Sequence, residues 1–176
     1  KGSAHVRPED HARFLNRIGD TVNAATDEDA THYINLVPAT YLDFTLQLEA
    51  ERMRNLLFQD NVIATEKDVV KEEIRQQLNT PITRGFWKFL ATAYTKHPYA
   101  WTAAGTIADL DNTTPTDLKT FYDAYYQPNN ALVVVVGNAT LDEVKATVTK
   151  RFGDLKAGAA APRPSLAAVE PEQTAK

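Results

Sequence analysis

The spacing of apolar residues changes partway along this chain, and that change limits the folds open to it. Over residues 21–37 the pattern has a period of two, with Ala30, His32, Ile34 and Leu36 on one side and Thr31, Tyr33, Asn35 and Val37 on the other. That alternation predicts a strand, or two strands with a bend near residues 27–29. Pro38 ends it. Beyond Pro38 the spacing is helical: Leu42, Leu46, Met53, Leu56 and Leu57 predict a helix over residues 41–58, and another is expected over residues 62–78, closed by Pro81. Phe86, Trp87, Phe89, Leu90 and Tyr94 supply an aromatic helix that reads as core, and His97-Pro98-Tyr99 reads as a turn. Strands followed by long helices predict an α+β fold, a two-layer sandwich of helices packed on a mixed, largely antiparallel sheet.

The flanks fit this scheme. Pro8, Glu9 and Asp10 open a helix whose buried stripe is Phe14, Leu15 and Ile18 and which Gly19 stops. Thr114-Pro115-Thr116-Asp117 resembles a capping box leading into Leu118, Phe121, Tyr122 and Tyr125. Residues 131–136 form an unbroken, β-branched apolar run, expected as a strand buried on both faces. Thr140 with Glu143 makes a further capping box, starting a helix that presents Val144 and Val148 inward and ends at Gly153. Residues 1–156 therefore read as one domain, and the Ala/Pro/Glu-rich residues 157–176 as a linker or tail toward a second domain.

Composition removes several classes of function. A formal charge of -4 with interspersed Lys and Arg argues against nucleic acid, whose binders carry a basic patch. No run of about 18 apolar residues could span a bilayer. With no cysteine there is no thiol nucleophile, disulfide or Cys-type zinc site, and either cytoplasm or periplasm is compatible. The opening residues lack the apolar centre of a secretion signal, so targeting information is expected upstream or already removed.

The residues with most chemical content are Glu66 and Glu73. At about 100° per residue they lie about 20° apart, with Ile63, Val69, Val70 and Ile74 within about 80° of Glu66 on either side. Lys67, Asp68, Lys71, Glu72 and Arg75 fall on the opposite arc, as solvated charges. An ionised carboxylate on an apolar stripe costs several kcal/mol unless paired, so two of them ask for a compensating cation. Zinc is one answer; an Arg or Lys from a neighbouring element is the other. His5, His11, His32 and His97 contain no pair at helical spacing. His32 reads as hydrogen-bonded core and His97 as a turn residue. H-E-x-x-H, H-x-x-E-H, G-x-S-x-G and phosphate-loop motifs do not occur.

Several blocks, in order, resemble the pitrilysin/insulinase family of zinc metallopeptidases. They are Gly19-Asp20-Thr21-Val22-Asn23-Ala24-Ala25-Thr26-Asp27-Glu28-Asp29-Ala30-Thr31-His32-Tyr33, Leu48-Glu49-Ala50-Glu51-Arg52-Met53, residues 66–73, His97-Pro98-Tyr99, Phe121-Tyr122 through Tyr126-Gln127-Pro128-Asn129-Asn130-Ala131, and residues 133–137. The likeness extends to about Leu155, with Asp20 standing where relatives commonly have glycine. It implies a metallopeptidase half-domain that uses Zn2+, in which an H-x-x-E-H helix supplies two histidine ligands and a general-base glutamate. It implies Glu73 as the third ligand, Glu66 as a group supporting the site from behind, and Asn23, Ala24 and Ala25 as the edge to which a peptide substrate adds as a strand.

Family members carry H-x-x-E-H a few residues before a Lys-Gly-Ser/Thr segment, and this chain opens on Lys1-Gly2-Ser3. Both histidines, the base and the first strands of the domain are therefore expected upstream of Lys1. The chain alone is expected to be inactive and to bind zinc negligibly near neutral pH. The resemblance further implies a second homologous half-domain or partner subunit, and an exposed sheet edge through which copies of the chain could self-associate. Two readings compete: part of a zinc endopeptidase, or a non-catalytic scaffold subunit of the same family that binds peptides or an active subunit. A third, a plain helical binding domain with ordinary ion pairs, leaves the ordered blocks unexplained.

Overall fold

The computed structural model describes residues 2–19 and 21–163. Lys1, Asp20 and residues 164–176, and with them most of the expected tail, fall outside the described residues. In chain order the elements are α1 (Asp10–Arg17), β1 (Thr21–Thr26), β2 (Thr31–Leu36), α2 (Leu42–Arg54), α3 (Asp60–Asn79), α4 (Pro81–Ala93), α5 (Ile107–Asn112), α6 (Pro115–Tyr125) and α7 (Leu141–Phe152). The class is α+β, rich in helix, with β1 and β2 forming a two-stranded antiparallel sheet. The described residues fall into two compact units, one built from residues 2–19, 21–25, 31–59 and 116–162, the other from residues 26–30, 60–115 and 163.

The first unit is organised around α2. Thr45, Leu46, Leu48 and Ala50 are its buried residues, and Leu15 of α1 is fully enclosed. Phe14 meets Phe44 edge-on at 6.3 Å between ring centroids. Gly19 ends α1 as expected. Its φ is +80°, and its N–H bonds back to the Asn16 carbonyl, the left-handed closure that glycine adopts without a Cβ penalty. From α6, buried Tyr122 donates its hydroxyl to the Arg52 carbonyl at 2.8 Å, satisfying a C-terminal carbonyl of α2 that the helix itself leaves open.

The Thr140–Glu143 capping box forms as the sequence predicts. At the far end of α7, a Cβ on Gly153 would run into the Thr149 carbonyl oxygen, so only glycine fits there. Asp43 of α2 receives Arg151 Nε at 2.7 Å, Arg151 Nη2 at 2.6 Å and Lys150 Nζ at 3.0 Å, which ties α7 to the start of α2.

Two expectations change. Residues 131–136 are extended at Ala131 but join no ladder among the described residues, and Leu132 and Val136 are 87% and 92% exposed. An apolar β-branched run reports that a segment can sit in a sheet; it does not report whether a neighbouring strand is there to accept its hydrogen bonds. His32, expected in the core, is exposed on β2, on the side of the strand whose Ile34 and Leu36 are exposed too, while Tyr126 and Glu49 of α2 meet the opposite side through Tyr33 and Asn35.

In the second unit α4 begins with Pro81 at its first turn, where the missing N–H costs nothing. The short helix α5 was not anticipated. Thr106 and Asp109 form a reciprocal capping box around its start, at the same spacing as Thr140 and Glu143. Ile74 is the deeply buried side chain of α3. No helix of the described residues is long and apolar enough to cross a membrane.

The Asp43 clamp has a pH signature. Hydrogen bonds from Arg151, then from Lys150, hold the Asp43 carboxyl well below the usual carboxylate range. A depressed folded value stabilises the fold above the unfolded value of about 3.9, and the contribution drains away as the pH falls below it. Asp43→Asn is therefore expected to lower the Tm at neutral pH, and its deficit against the parent should shrink in thermal melts run below about pH 4.

Candidate functional site

Glu66 and Glu73 do share one arc of α3, and the packing of that helix decides what they can do. Relative to Glu66, Val70, Ile63 and Ile74 lie at about +40°, +60° and +80°, whereas Glu73 and Val69 lie at about −20° and −60°. Ile74 is 3% exposed, while Ile63, Val70 and Glu66 are half-buried. Glu73 is exposed and Val69 is 49% exposed. The packed face of α3 is thus centred near Ile74, and the two carboxylates stand on its solvent-side shoulder. The expectation that both sit in the middle of a buried stripe is corrected for this reason: the apolar arc is wide, and the described residues cover only one flank of it.

The rotation of α3 is fixed by charges that the sequence pattern assigns to bulk solvent. Lys67 Nζ donates to the Thr113 carbonyl at 2.5 Å and to the Asp111 carbonyl at 3.4 Å, closing the C-terminal end of α5 where a cation also complements the helix dipole. Lys71 Nζ lies 2.5 Å from Asp111 Oδ1 with only 19% of its side chain exposed. That bond, from Lys71, holds the Asp111 carboxyl below its ordinary range. Two lysines one turn apart on a charged face gave no local hint of this, because their partners are forty or more positions away.

Asn23, Ala24 and Ala25 are exposed on β1 and lie in the other unit. In the two-stranded sheet, one edge of β1 pairs with β2 and the other pairs with no described strand. The Asn23 Oδ1 accepts the Ala24 N–H at 2.8 Å, so this side chain satisfies its own backbone.

Behind the hairpin lies a polar network that pattern reading passed over. Asn35 Nδ2 donates to Glu49 Oε1 at 3.1 Å, Arg52 pairs with Glu49, and the Arg52 guanidinium sits 3.6 Å from the centroid of the Tyr33 ring. The Tyr33 and Tyr126 hydroxyls are 2.8 Å apart. Burial pushes the Tyr33 phenol up, and the Tyr126 hydrogen bond adds to the shift. Burial also pushes Glu49 up, but the adjacent His11 ring, Arg52 and Asn35 outweigh it, and the carboxyl ends below its usual range. His11 Nε2 is 3.6 Å from Glu49 Oε1, just beyond ordinary hydrogen-bond length. The signal that could have found this network is the Glu49-x-x-Arg52 pair at helical i,i+3 spacing.

The remaining histidines are accounted for locally. His97 accepts the Tyr99 N–H on Nδ1 at 3.2 Å, the turn role expected of it. His5 Nδ1 lies 3.0 Å from Glu51 Oε1, a carboxylate that also receives Ser3 Oγ at 2.6 Å and Asn55 Nδ2 at 2.6 Å. A protein zinc site takes three or four ligands. Among the described residues no group of three or more His, Cys, Asp or Glu side chains comes together in a way that could hold a metal. Glu73 offers one accessible carboxylate, so these residues do not fit a zinc ion by themselves.

Comparison with known proteins agrees along the chain. Residues 1–107 match the model for insulinase (peptidase family M16), and residues 112–176 match that for the peptidase M16 inactive domain. A zinc protease of Helicobacter pylori, PqqE, is 36% identical over 157 residues, which is 89% of this chain and 35% of that protein. The crystal structure of a protease from Helicobacter pylori superposes with a TM-score of 0.89 at 36% identity, covering 93% of this chain and 40% of the other. The first half of the periplasmic protease PqqL from Escherichia coli shares the fold at a TM-score of 0.73 and 22% identity, covering 93% and 41%. The chain therefore spans well under half the length of these proteins.

The lysine clamp on α5 can be tested directly. Lys67→Met is expected to speed amide exchange at Leu110 and Thr113, which bond to the Thr106 and Asp109 carbonyls, while Lys67→Arg should largely preserve protection there.

Proposed function

The chain belongs to the insulinase family, peptidase family M16, and from that membership we propose that it is part of a zinc-dependent metalloendopeptidase that hydrolyses peptide bonds in extended peptides or small proteins. Its relatives are named zinc proteases, which is the ground for extending zinc to the whole protein. In this reading residues 1–156 are one half-domain, and a second homologous half or partner subunit closes over the peptide. Glu73 lends its carboxylate to a zinc ion whose imidazoles and general base come from residues other than those described. Glu66 steadies it from the same face of α3, and Asn23, Ala24 and Ala25 offer backbone to an extended substrate.

The observation that carries the reading is the position of Glu73. It stands exposed on a helix whose rotation is fixed by Lys67 and Lys71, so its carboxylate is presented to solvent at a set angle. A borderline divalent cation such as zinc accepts a glutamate oxygen as one ligand of a mixed set with histidine. The free edge of β1 supports the substrate role in the same way, because backbone pairing to an added strand needs exposed, extended amides and carbonyls rather than particular side chains.

A second reading, a non-catalytic subunit of the same family, draws on the match of residues 112–176 to a domain described as inactive. The retention of both carboxylates weighs little against it. Glu73 is exposed, and an exposed carboxylate needs no metal to compensate it.

Zinc content separates the two. In the full-length protein, Glu73→Gln is expected to abolish stoichiometric zinc and peptidase activity together, and Glu66→Gln to weaken zinc affinity about 10- to 100-fold. Unchanged metal content in Glu73→Gln would remove the ligand role, and a full-length protein that binds no zinc would hand the chain to the scaffold reading. The 176-residue chain itself is expected to bind zinc only weakly in equilibrium dialysis near neutral pH, since isolated carboxylates make a poor zinc site.

A further inference from the structure

The β1–β2 hairpin turns at residues 27–30, and the turn is closed from within. Asp27 Oδ1 accepts the N–H groups of Asp29 at 2.9 Å and Ala30 at 2.7 Å, and the Asp27 N–H bonds the Ala30 carbonyl at 3.0 Å. This internal order leaves the Asp29 side chain pointing away from the turn. There it receives the Tyr99 hydroxyl, 70 positions away in sequence, at 2.6 Å. Both residues belong to the second unit.

Tyr99 is itself held in place. It lies in the 3-10 turn Pro98–Ala100, its N–H is taken by His97 Nδ1, and its ring sits edge-on to His97 at 4.5 Å and to Tyr94 at 6.0 Å. The phenol thus approaches Asp29 from a fixed aromatic platform, and its pKa is raised first by the hydrogen bond to that carboxylate.

A two-stranded hairpin is marginally stable in water unless something outside it holds it. β2 has such support in Tyr33 and Asn35. The residues of β1 proposed to face a substrate, Asn23, Ala24 and Ala25, are exposed, and the Asn23 carboxamide bonds its own neighbour. Their order rests on pairing with β2, and that pairing rests on the turn that joins the strands.

We infer that Tyr99 is a positioning residue: by hydrogen bonding Asp29 it pins the hairpin turn and so keeps β1 extended, with its free edge ready to pair with a peptide. The inference builds on the reading of β1 as the substrate edge, and its test separates the two. Tyr99→Phe keeps the aromatic platform and removes only the hydroxyl. In the full 176-residue chain, amide exchange within residues 21–26 should quicken about tenfold in this variant, the scale of losing one hydrogen bond to a charged acceptor.

Asp29→Ala should act similarly, the double variant should go no further than either alone, and Asp29→Asn, which keeps an accepting oxygen, should recover part of the protection. Unchanged exchange in residues 21–26 would overturn the inference, as would quickening spread equally over α3 and α4, which would make Tyr99 a general structural residue. Fluorescence anisotropy with a labelled threonine-rich extended peptide provides the second arm. Weaker binding in Tyr99→Phe than in the parent is the expected result, and equal binding despite quickened exchange would overturn the link to the peptide. A parent chain that fails to bind the peptide would instead sink the assignment of β1 as the substrate edge, whatever the exchange rates show.

Discussion

A largely buried carboxylate on α2, that of Glu49, is the group on which the first unit depends. Burying it is unfavourable unless its oxygens are filled, and they are filled by Arg52 from its own helix and by Asn35 from β2. The guanidinium so placed is then free on its flat side to cover the Tyr33 ring. One polar group therefore connects a helix to a strand that has few apolar contacts of its own. The neighbouring Glu51 does the same for the N-terminal segment by gathering Ser3, His5 and Asn55. Alternate carboxylates on a single helix turn, two residues apart, serve two different pieces of chain.

The second unit solves the equivalent problem with the opposite charge. There Lys67 and Lys71 project from α3 to the end of α5, and the packing of Ile74 sets the depth of the helix. The consequence for chemistry lies in what this arrangement leaves alone. With one flank of α3 committed to α4 and α5, Glu73 remains exposed, clear of the core, which suits the ligand role proposed for it. Stability and access are divided between two sides of one helix.

Much of this was legible from residue spacing, because the signals were local. The Thr140–Glu143 capping box, the period-two stretch, Gly19 as a stop and the Pro81 boundary each depend on residues within a turn or two of one another, and each appears where the pattern put it. The family blocks carried the zinc peptidase relationship that composition could not. Residues 131–136, His32 and the burial of Glu73 went differently. In each the local pattern described the segment correctly, yet the outcome was set by whether another element covers it. Lys67, Lys71, Tyr99 and Asp29 were missed for the same reason: their partners lie from about forty to seventy positions away, beyond any spacing rule. Helix α5 is a plainer omission, since Thr106 and Asp109 repeat a spacing that was recognised at Thr140 and Glu143.

The uncovered run at residues 131–136 matters beyond the fold of one molecule. It opens extended at Ala131, carries no charge and no proline, and exposes the side chains of Leu132, Val133, Val134 and Val136. A segment of that kind is a template for strand pairing between chains, and its flanking Asn129, Asn130 and Asn138 are the nearest polar brakes on such growth. Solubility and folding free energy are then separate properties of this molecule. Concentration joins temperature and pH as a variable that determines its physical state.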